Sequence, residues 1–274
     1  MKRFFILLSI LFLSSCSQLR KLPKESYYSF TYTFKDEFRN DTVFFHLKNP
    51  IMSPINIQLV KDSTNLELKE LFGNITLREK QDTLIKINYP TYITGNKLKY
   101  KVEYGDLSRK IESNKFAYPF PKGKEYKIIQ GNNGRFTHNT IYSKNAIDFS
   151  LAIGDTITSS DDGYIVGLIK DYKKYGTSKE WLKNDKSNYI TIYHPHSGLY
   201  SQYVHLIYNG SLVKLGDYVK KGQPIGISGM TGFTTIPHLH FNIKKPTDIG
   251  LVSTEVEFES GIKGKSFKSG NLVK

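Results

Sequence analysis

A single cysteine, Cys16, in a chain of 274 residues excludes an internal disulfide and any metal site built from thiolates. Without such staples the fold must rest on apolar cores, and this length permits two of modest size. Beyond residue 13 no apolar run approaches the roughly 20 residues that a membrane-spanning helix requires. Motifs for reading nucleic acid are missing too, since neither a helix-turn-helix, a zinc finger nor an aromatic RNA-binding motif occurs. The basic residues are dispersed, so the excess of 39 Lys and Arg over 25 Asp and Glu, a net charge of +14, favours acidic polymers or anionic lipid surfaces over nucleic acid.

What is present begins at the N-terminus. Lys2 and Arg3 precede a short apolar run over residues 4–13, followed by Ser14-Ser15-Cys16. A charged start and a run of this length form the pattern of an export signal. The tetrapeptide Leu13-Ser14-Ser15-Cys16 resembles a bacterial lipobox. That resemblance implies removal of residues 1–15, lipid on the thiol and new amino group of Cys16, and attachment of the mature chain to a membrane in the cell envelope. Ser17-Gln18 shows no acidic surface-export tag, which favours an anchor facing the periplasm. Residues 16–26 are polar and basic and contain Pro23, as expected of a lipidated cysteine and a tether.

From residue 27 to about 115, apolar residues alternate with polar ones: Tyr28, Phe30, Tyr32 and Phe34; Ile55, Ile57 and Leu59; Ile85, Ile87 and Tyr89; Leu98, Tyr100, Val102 and Tyr104. Period two with β-branched and aromatic residues, broken by Asn, Asp, Gly and Pro, predicts antiparallel strands in an immunoglobulin-like β-sandwich. Nothing in this stretch groups titratable side chains for catalysis. Its expected role is spacing or positioning, or covering a downstream cleft until a partner arrives. Tyr118-Pro119-Phe120-Pro121 marks the join to a second domain over residues 116–260, with a loosely ordered tail at 261–274.

The second domain carries the chemistry. In His238-Leu239-His240-Phe241-Asn242-Ile243 the alternation puts His238, His240 and Asn242 on one face and the apolar side chains on the other. By the same parity Asp148 opposes Ile147, Phe149 and Leu151, and His205 shares a face with Tyr203, away from Val204 and Leu206. His138 follows the loop Gly131-Asn132-Asn133-Gly134, so four histidines and one aspartate can converge.

These segments, in this order, resemble the lysostaphin and LytM-type zinc endopeptidases that cut the peptide part of bacterial cell wall. The resemblance runs from about Tyr118 to Ile243 and includes Gly154-Asp155-Thr156-Ile157, Asn188-Tyr189-Ile190-Thr191, Tyr203-Val204-His205-Leu206, Gly222-Gln223-Pro224-Ile225-Gly226, Ser228-Gly229-Met230-Thr231-Gly232 and the closing His238-Leu239-His240. It implies an antiparallel β catalytic domain, making the whole chain all-β. It also implies that His138, Asp148 and His240 hold one zinc ion, with His205 and His238 as the catalytic pair beside it, and that peptidoglycan peptides are the substrate. One departure stands out: family members often have three residues between the first histidine and the aspartate, and here residues 139–147 intervene. A longer loop can still bring its ends together at little entropic cost.

Two imidazoles and a carboxylate leave one position open on a tetrahedral zinc, as a hydrolytic site needs. Zinc makes hydroxide available near neutral pH and polarises the scissile carbonyl. A histidine exchanges protons in that range, which suits taking a proton from water and stabilising the oxyanion. The sequence leaves open how His205 and His238 divide those tasks and which ring nitrogen meets the metal. A second reading is a LytM-like module that has lost activity and regulates another wall hydrolase. Such relatives usually lack one or more of the five residues, all of which are kept here. A protein activator is compatible with either.

The remaining features have duller expectations. His194 and His196 flank Pro195 in a predicted turn, and His46 belongs to an unrelated strand. Asp162-Gly163 and Lys221-Gly222 read as hairpin turns. Residues 178–183 read as the one helical stretch, with Trp181 packed on the sheet or lining the cleft, and residues 252–258 as a final strand.

Overall fold

The computed structural model describes residues 21–60, 66–92 and 97–274. The expected signal sequence at 1–15 and the lipid site Cys16 lie outside the described residues. Among those described, no helix is long and apolar enough to cross a membrane.

The N-terminal region contains β1 (Lys35–Arg39), β2 (Thr42–Lys48), β3 (Ile55–Leu59), α1 (Leu66–Phe72), β4 (Ile75–Leu77), β5 (Asp82–Asn88) and β6 (Tyr100–Tyr104). Two antiparallel sheets form, ordered β1-β2-β5 and β4-β3-β6. Alternation explains their inner faces: Val43, Phe45 and Leu47 of β2 and Ile55, Ile57 and Leu59 of β3 are buried in one core with Leu68 and Phe72 of α1. Among the described residues there are six strands, where an immunoglobulin sandwich has seven or more, and a helix lies between β3 and β4. The aromatic alternation at 28–34 forms no strand. Phe30 and Phe34 instead pack edge-on against Tyr104 and Tyr100, and Tyr28 is exposed.

The remainder is almost wholly β. Its elements are β7 (Lys115–Phe116), β8 (Tyr126–Gln130), β9 (Ile147–Phe149), β10 (Thr156–Thr158), β11 (Gly163–Ile169), β12 (Tyr175–Gly176), α2 (Lys179–Asn184), β13 (Tyr189–His194), β14 (Leu199–Val204) and β15 (Leu206–Ser211). After them come β16 (Tyr218–Val219), β17 (Pro224–Ser228), β18 (Gly232–Phe233), β19 (Leu239–Thr247), β20 (Gly250–Ser253), β21 (Glu257–Phe258) and β22 (Leu272–Val273). The main sheet runs β16-β11-β13-β14-β19-β9-β8-β22, with β20 also paired to β19, and a smaller sheet runs β10-β17-β15.

One face of the main sheet packs Ile147, Phe149, Ile190, Ile192, Tyr203, Leu239, Phe241 and Ile243 into the larger core. The other face is divided. At one end Val166, Tyr193 and Tyr200, each no more than 1% exposed, join the core of the N-terminal sandwich. At the other end lies an open cleft. The two regions therefore share a core, and further bonds cross the join: Arg109 donates to the Tyr193 hydroxyl at 2.7 Å and to the Pro195 carbonyl, and Lys101 Nζ donates to the Asp248 carbonyl at 2.8 Å. Lys186 Nζ donates to the Glu25 carbonyl and Ser26 hydroxyl at 2.6 and 2.7 Å, tying the end of the tether to the second region.

Several expectations are corrected. The turns at Asp162-Gly163 and Lys221-Gly222 close no hairpins: β10 pairs with β17, while β11 pairs with β13 and β16, so each turn carries the chain between the two sheets. The Asp162 carboxylate accepts from the Lys221 amide at 2.8 Å and from Lys220 Nζ at 3.1 Å, clasping one turn to the other. Residues 252–258 are split between β20 and β21, which join different sheets. The C-terminal tail is not loose. Its β22 pairs antiparallel with β8, and Phe267 and Val273 enter the larger core.

Candidate metal centre

Strand register builds the site as a row. Gln130 faces Asp148, Asp148 faces His240, His240 faces Val204 and Val204 faces Tyr189, across β8, β9, β19, β14 and β13. All of them line one cleft of about 790 Å³. The pairing of β9 with β19 is what brings positions 148 and 240 together, and the carboxylate meets the ring with Asp148 Oδ1 2.9 Å from His240 Nδ1.

His138 completes a triangle. Its Nε2 lies 3.2 Å from Asp148 Oδ1 and 3.2 Å from His240 Nδ1, and these three residues are grouped as candidate metal ligands. The long insertion does not hold His138 away. Residues 141–145 fold as turns, Asn242 Nδ2 donates to the Tyr142 carbonyl at 2.8 Å, and Asn139, Thr140, Tyr142 and Ser143 become one wall of the cleft. Gly131, in the Gly- and Asn-rich loop, offers its carbonyl to His138 Nδ1 at 2.9 Å, which orients the ring with Nε2 towards the triangle.

His205 and His238 lie beside the triangle with ring centroids 4.5 Å apart. A backbone carbonyl holds each Nδ1: Thr231 for His205 at 2.7 Å and Ile236 for His238 at 2.9 Å. These contacts assign the Nδ1–H tautomer and leave each Nε2 free to exchange a proton. His238 Nε2 is 3.7 Å from Asp148 Oδ1.

His205 reaches the cleft by a route that simple alternation does not give. Tyr203 points into the core and Val204 into the cleft, so continued alternation would bury His205 beside Tyr203. Its φ of +72° breaks the strand between β14 and β15 and turns the ring back into the cleft. A left-handed backbone at a histidine is costly and persists where surrounding structure enforces it. Here both the His205 and Leu206 amides donate to the Asn188 carbonyl, and the ring is held by Thr231.

The charges are set by burial and mutual contact. Burial alone would raise the Asp148 carboxyl, but hydrogen bonds and charge from the histidines overcome it and hold the group well below the usual carboxylate range. Burial pushes His205 well below the usual histidine value, aided by the neighbouring His238 and His240, and burial lowers His240 as well. At His138 burial acts downward, yet the hydrogen bond and charge of Asp148 carry it upward.

The other histidines lie elsewhere. His194, the last residue of β13, is fully buried, with Nδ1 at 2.8 Å from the Asp162 carbonyl and Nε2 at 2.8 Å from the Ser201 hydroxyl. His196, in the following turn, pairs with Asp161 at 3.2 Å, and His46 lies in β2. Trp181 is buried and also borders the cleft. It fills the space beside Gly176, where a Cβ would stand 2.0 Å from the indole nitrogen. Phe136 and Phe233 stack at 5.5 Å on the cleft border, a pair that no sequence spacing announces. Lys244 also lines the cleft, and continuing the parity of His240 and Asn242 by one step would have found it. Among the described residues, every lining residue lies between positions 129 and 244, so the N-terminal sandwich does not cover the opening.

Known proteins share part of this region. Residues 142–251 match the model for Peptidase family M23, a match that begins after His138. An uncharacterized metalloprotease of Buchnera aphidicola is 38% identical over 48% of this chain and 32% of its own length. The peptidoglycan DD-endopeptidase ShyB of Vibrio cholerae is 29% identical over 62% of this chain and 42% of its own. Among solved structures, the antimicrobial peptidase lysostaphin from Staphylococcus simulans aligns over 47% of each chain with 30% identity and a TM-score of 0.34. The chain thus spans less than half the length of these relatives. Residues 142–251 thus match peptidase family M23, and lysostaphin is among the chain's sequence relatives.

Proposed function

We propose that this protein is a zinc endopeptidase that hydrolyses peptide bonds in peptidoglycan stems or cross-links. The observation that carries the reading is the triangle of His138 Nε2, Asp148 Oδ1 and His240 Nδ1, with edges of 3.2, 2.9 and 3.2 Å. Ligand atoms roughly 2.0–2.1 Å from a tetrahedral zinc stand about 3.3 Å apart, so the donor set fits the ion in kind and in spacing. When bound, zinc lowers the pKa of water towards neutrality and polarises a carbonyl.

The chain's own residues do the rest. Asp148, ionised, balances the charge of a cation, and the Gly131 carbonyl fixes His138 in the tautomer that presents Nε2. His205 is kept neutral by burial and presents Nε2 as the acceptor for the proton of the attacking water. His238, oriented by the Ile236 carbonyl, faces the same space; in its doubly protonated form its Nε2–H donates to the oxyanion and passes to the leaving amine, and the proton taken up by His205 replaces the one given. The M23 match and the similarity to the peptidoglycan DD-endopeptidase ShyB support a wall peptide as substrate. Four of the five side chains line one cleft and the fifth, His138, lies buried against Asp148 and His240, an arrangement that favours turnover over a purely regulatory module.

The lipobox-like Leu13-Ser14-Ser15-Cys16 supports a further part of the reading: lipid on Cys16 anchors the chain in the cell envelope, facing the periplasm. Incorporation of labelled fatty acid, lost in Cys16→Ser, tests it; equal labelling of the variant overturns it.

Digestion of purified peptidoglycan with the full chain, with zinc and with a chelator, followed by mass spectrometry of released peptides, tests the activity. New fragments that vanish with chelation are expected. Zinc bound with no fragments released would favour the regulatory reading or dependence on an activator.

A further inference from the structure

The sheet face that carries the metal triangle continues away from it in two further rows. Past the row of Asp148, His240 and Val204 come Asn242, Gln202 and Thr191, and past these Lys244, Tyr200 and Tyr193. Tyr200 and Tyr193 are sealed by the N-terminal sandwich, but Lys244 lines the cleft. Across the strand it pairs with Tyr200, where the open floor gives way to the core shared with the first region.

Lys244 is unlike the other lysines near this face. Lys186 and Lys101 both have acceptors, whereas no hydrogen bond or ion pair reaches the Lys244 ammonium among the described residues. Its side chain is partly buried and opens onto the cleft. Desolvation lowers its pKa to about 8, and Asp185, a weaker influence acting upward, is the charged group facing it. A desolvated cation without an acceptor is costly to keep. Its remaining open side is the cleft, so the compensating anion is one that arrives with the substrate.

We propose that Lys244 binds a free carboxylate of the substrate peptide and so determines which wall peptides the site accepts. This rests on the reading of the cleft as a peptidase site. Four residues along a strand separate the Cα atoms of His240 and Lys244 by about 13 Å. An extended peptide crossing the metal triangle therefore places at Lys244 a carboxylate about two to four residues from the scissile bond, allowing for the reach of the lysine side chain. Asn242 is occupied by the Tyr142 carbonyl and by Ser253, so it does not compete for that carboxylate.

The test uses the full chain and two synthetic cross-linked stem peptides, identical except that one has free carboxylates and the other has primary amides in their place. For the parent protein the ratio of kcat/KM, carboxylate over amide, is expected to be at least about tenfold, expressed mainly in KM, as for a charge-assisted hydrogen bond. Lys244→Met is expected to bring the ratio close to one, and Lys244→Arg to retain most of it; metal content and melting temperature of each variant establish that it is folded. No preference in the parent, or a preference that survives Lys244→Met, overturns the proposal. If neither peptide is cleaved, the peptidase reading fails separately. Calorimetric binding of the same two peptides then decides the role of Lys244, with tighter binding of the carboxylate form lost in Lys244→Met expected and equal affinities overturning it.

Discussion

His240 and Asp148 are direct partners across β19 and β9, and the same pairing that builds the sheet sets their side chains 2.9 Å apart. The metal triangle is thus a property of strand register, completed by His138 from a loop.

Replacing either strand residue should empty the site without unfolding the sheet, because both side chains face the cleft. Asp148→Ala and His240→Ala are expected to lower zinc affinity by more than about a hundredfold and to lose activity with it. Metal analysis after gel filtration, beside a circular dichroism spectrum, checks this. A variant that retains stoichiometric zinc would remove the residue from the ligand set.

His205→Ala should behave differently. Its ring is held by Thr231 outside the triangle, so metal content should stay near that of the parent while turnover falls by about 10²–10⁴. Turnover at the parent rate would refute its assigned role, whatever the metal content.

A fragment starting at Lys115 removes the partners of Val166, Tyr193 and Tyr200, all buried in the shared core. Exposing large apolar side chains costs about 1.5–3 kcal/mol each, so the fragment should melt lower by on the order of 10 °C or aggregate. It should gain no activity, since the cleft lining lies within positions 129–244. A stable fragment more active than the full chain would show that the first region restrains the site.

His194 makes the fold acid-sensitive at a place remote from the metal. Burial holds it down to about 4 in the folded state, against about 6.5 in an unfolded chain. Between those values the unfolded state binds more protons, so this contribution is present above pH 6.5 and is lost as pH falls towards 4. Compared with His194→Gln, the parent should lose on the order of 2 kcal/mol more stability across that window. Parallel denaturant curves at pH 7.5 and 4.5 measure the difference; identical losses would rule out this histidine as the cause.

Gly229 lies where the β17–β18 turn crosses β15. A Cβ there would stand 2.3 Å from the Ile207 nitrogen and 2.6 Å from its Cα, and backbone cannot swing aside as a side chain can. Gly229→Ala is expected to cost about 1–3 kcal/mol and to disturb Thr231, two residues on, whose carbonyl positions His205. Turnover should fall together with melting temperature; an unchanged melting curve would count against the contact.

Much of the site was legible because two local rules hold at most positions. Alternation placed Asp148 and His240 opposite their core neighbours, and the motif order pointed to the partners they meet. His205 broke the rule, since a positive φ at a histidine has no sequence signature and reverses the side on which the ring emerges. The misread hairpins have a related cause: Asp-Gly and Lys-Gly turns specify a reversal of the chain but not which strand the chain rejoins. The aromatic alternation at 28–34 shows apolar periodicity but meets β11 through the Ser29 carbonyl without forming a ladder, and the tail at 261–274 shows the reverse. Its lysines and glycines suggested a loose end, while Phe267 and Val273 supply enough burial to fix it.

The division of one sheet face between a sealed end and an open end makes the two regions unequal to beads on a string. Val166, Tyr193 and Tyr200 serve the second region as strand residues and the first as core residues at once. Exchanging the N-terminal region for another sandwich would leave those positions dressed for the wrong neighbour. A working chimera would therefore need a new complement of side chains at 166, 193 and 200, and any drift in one region must be matched across the seam by the other.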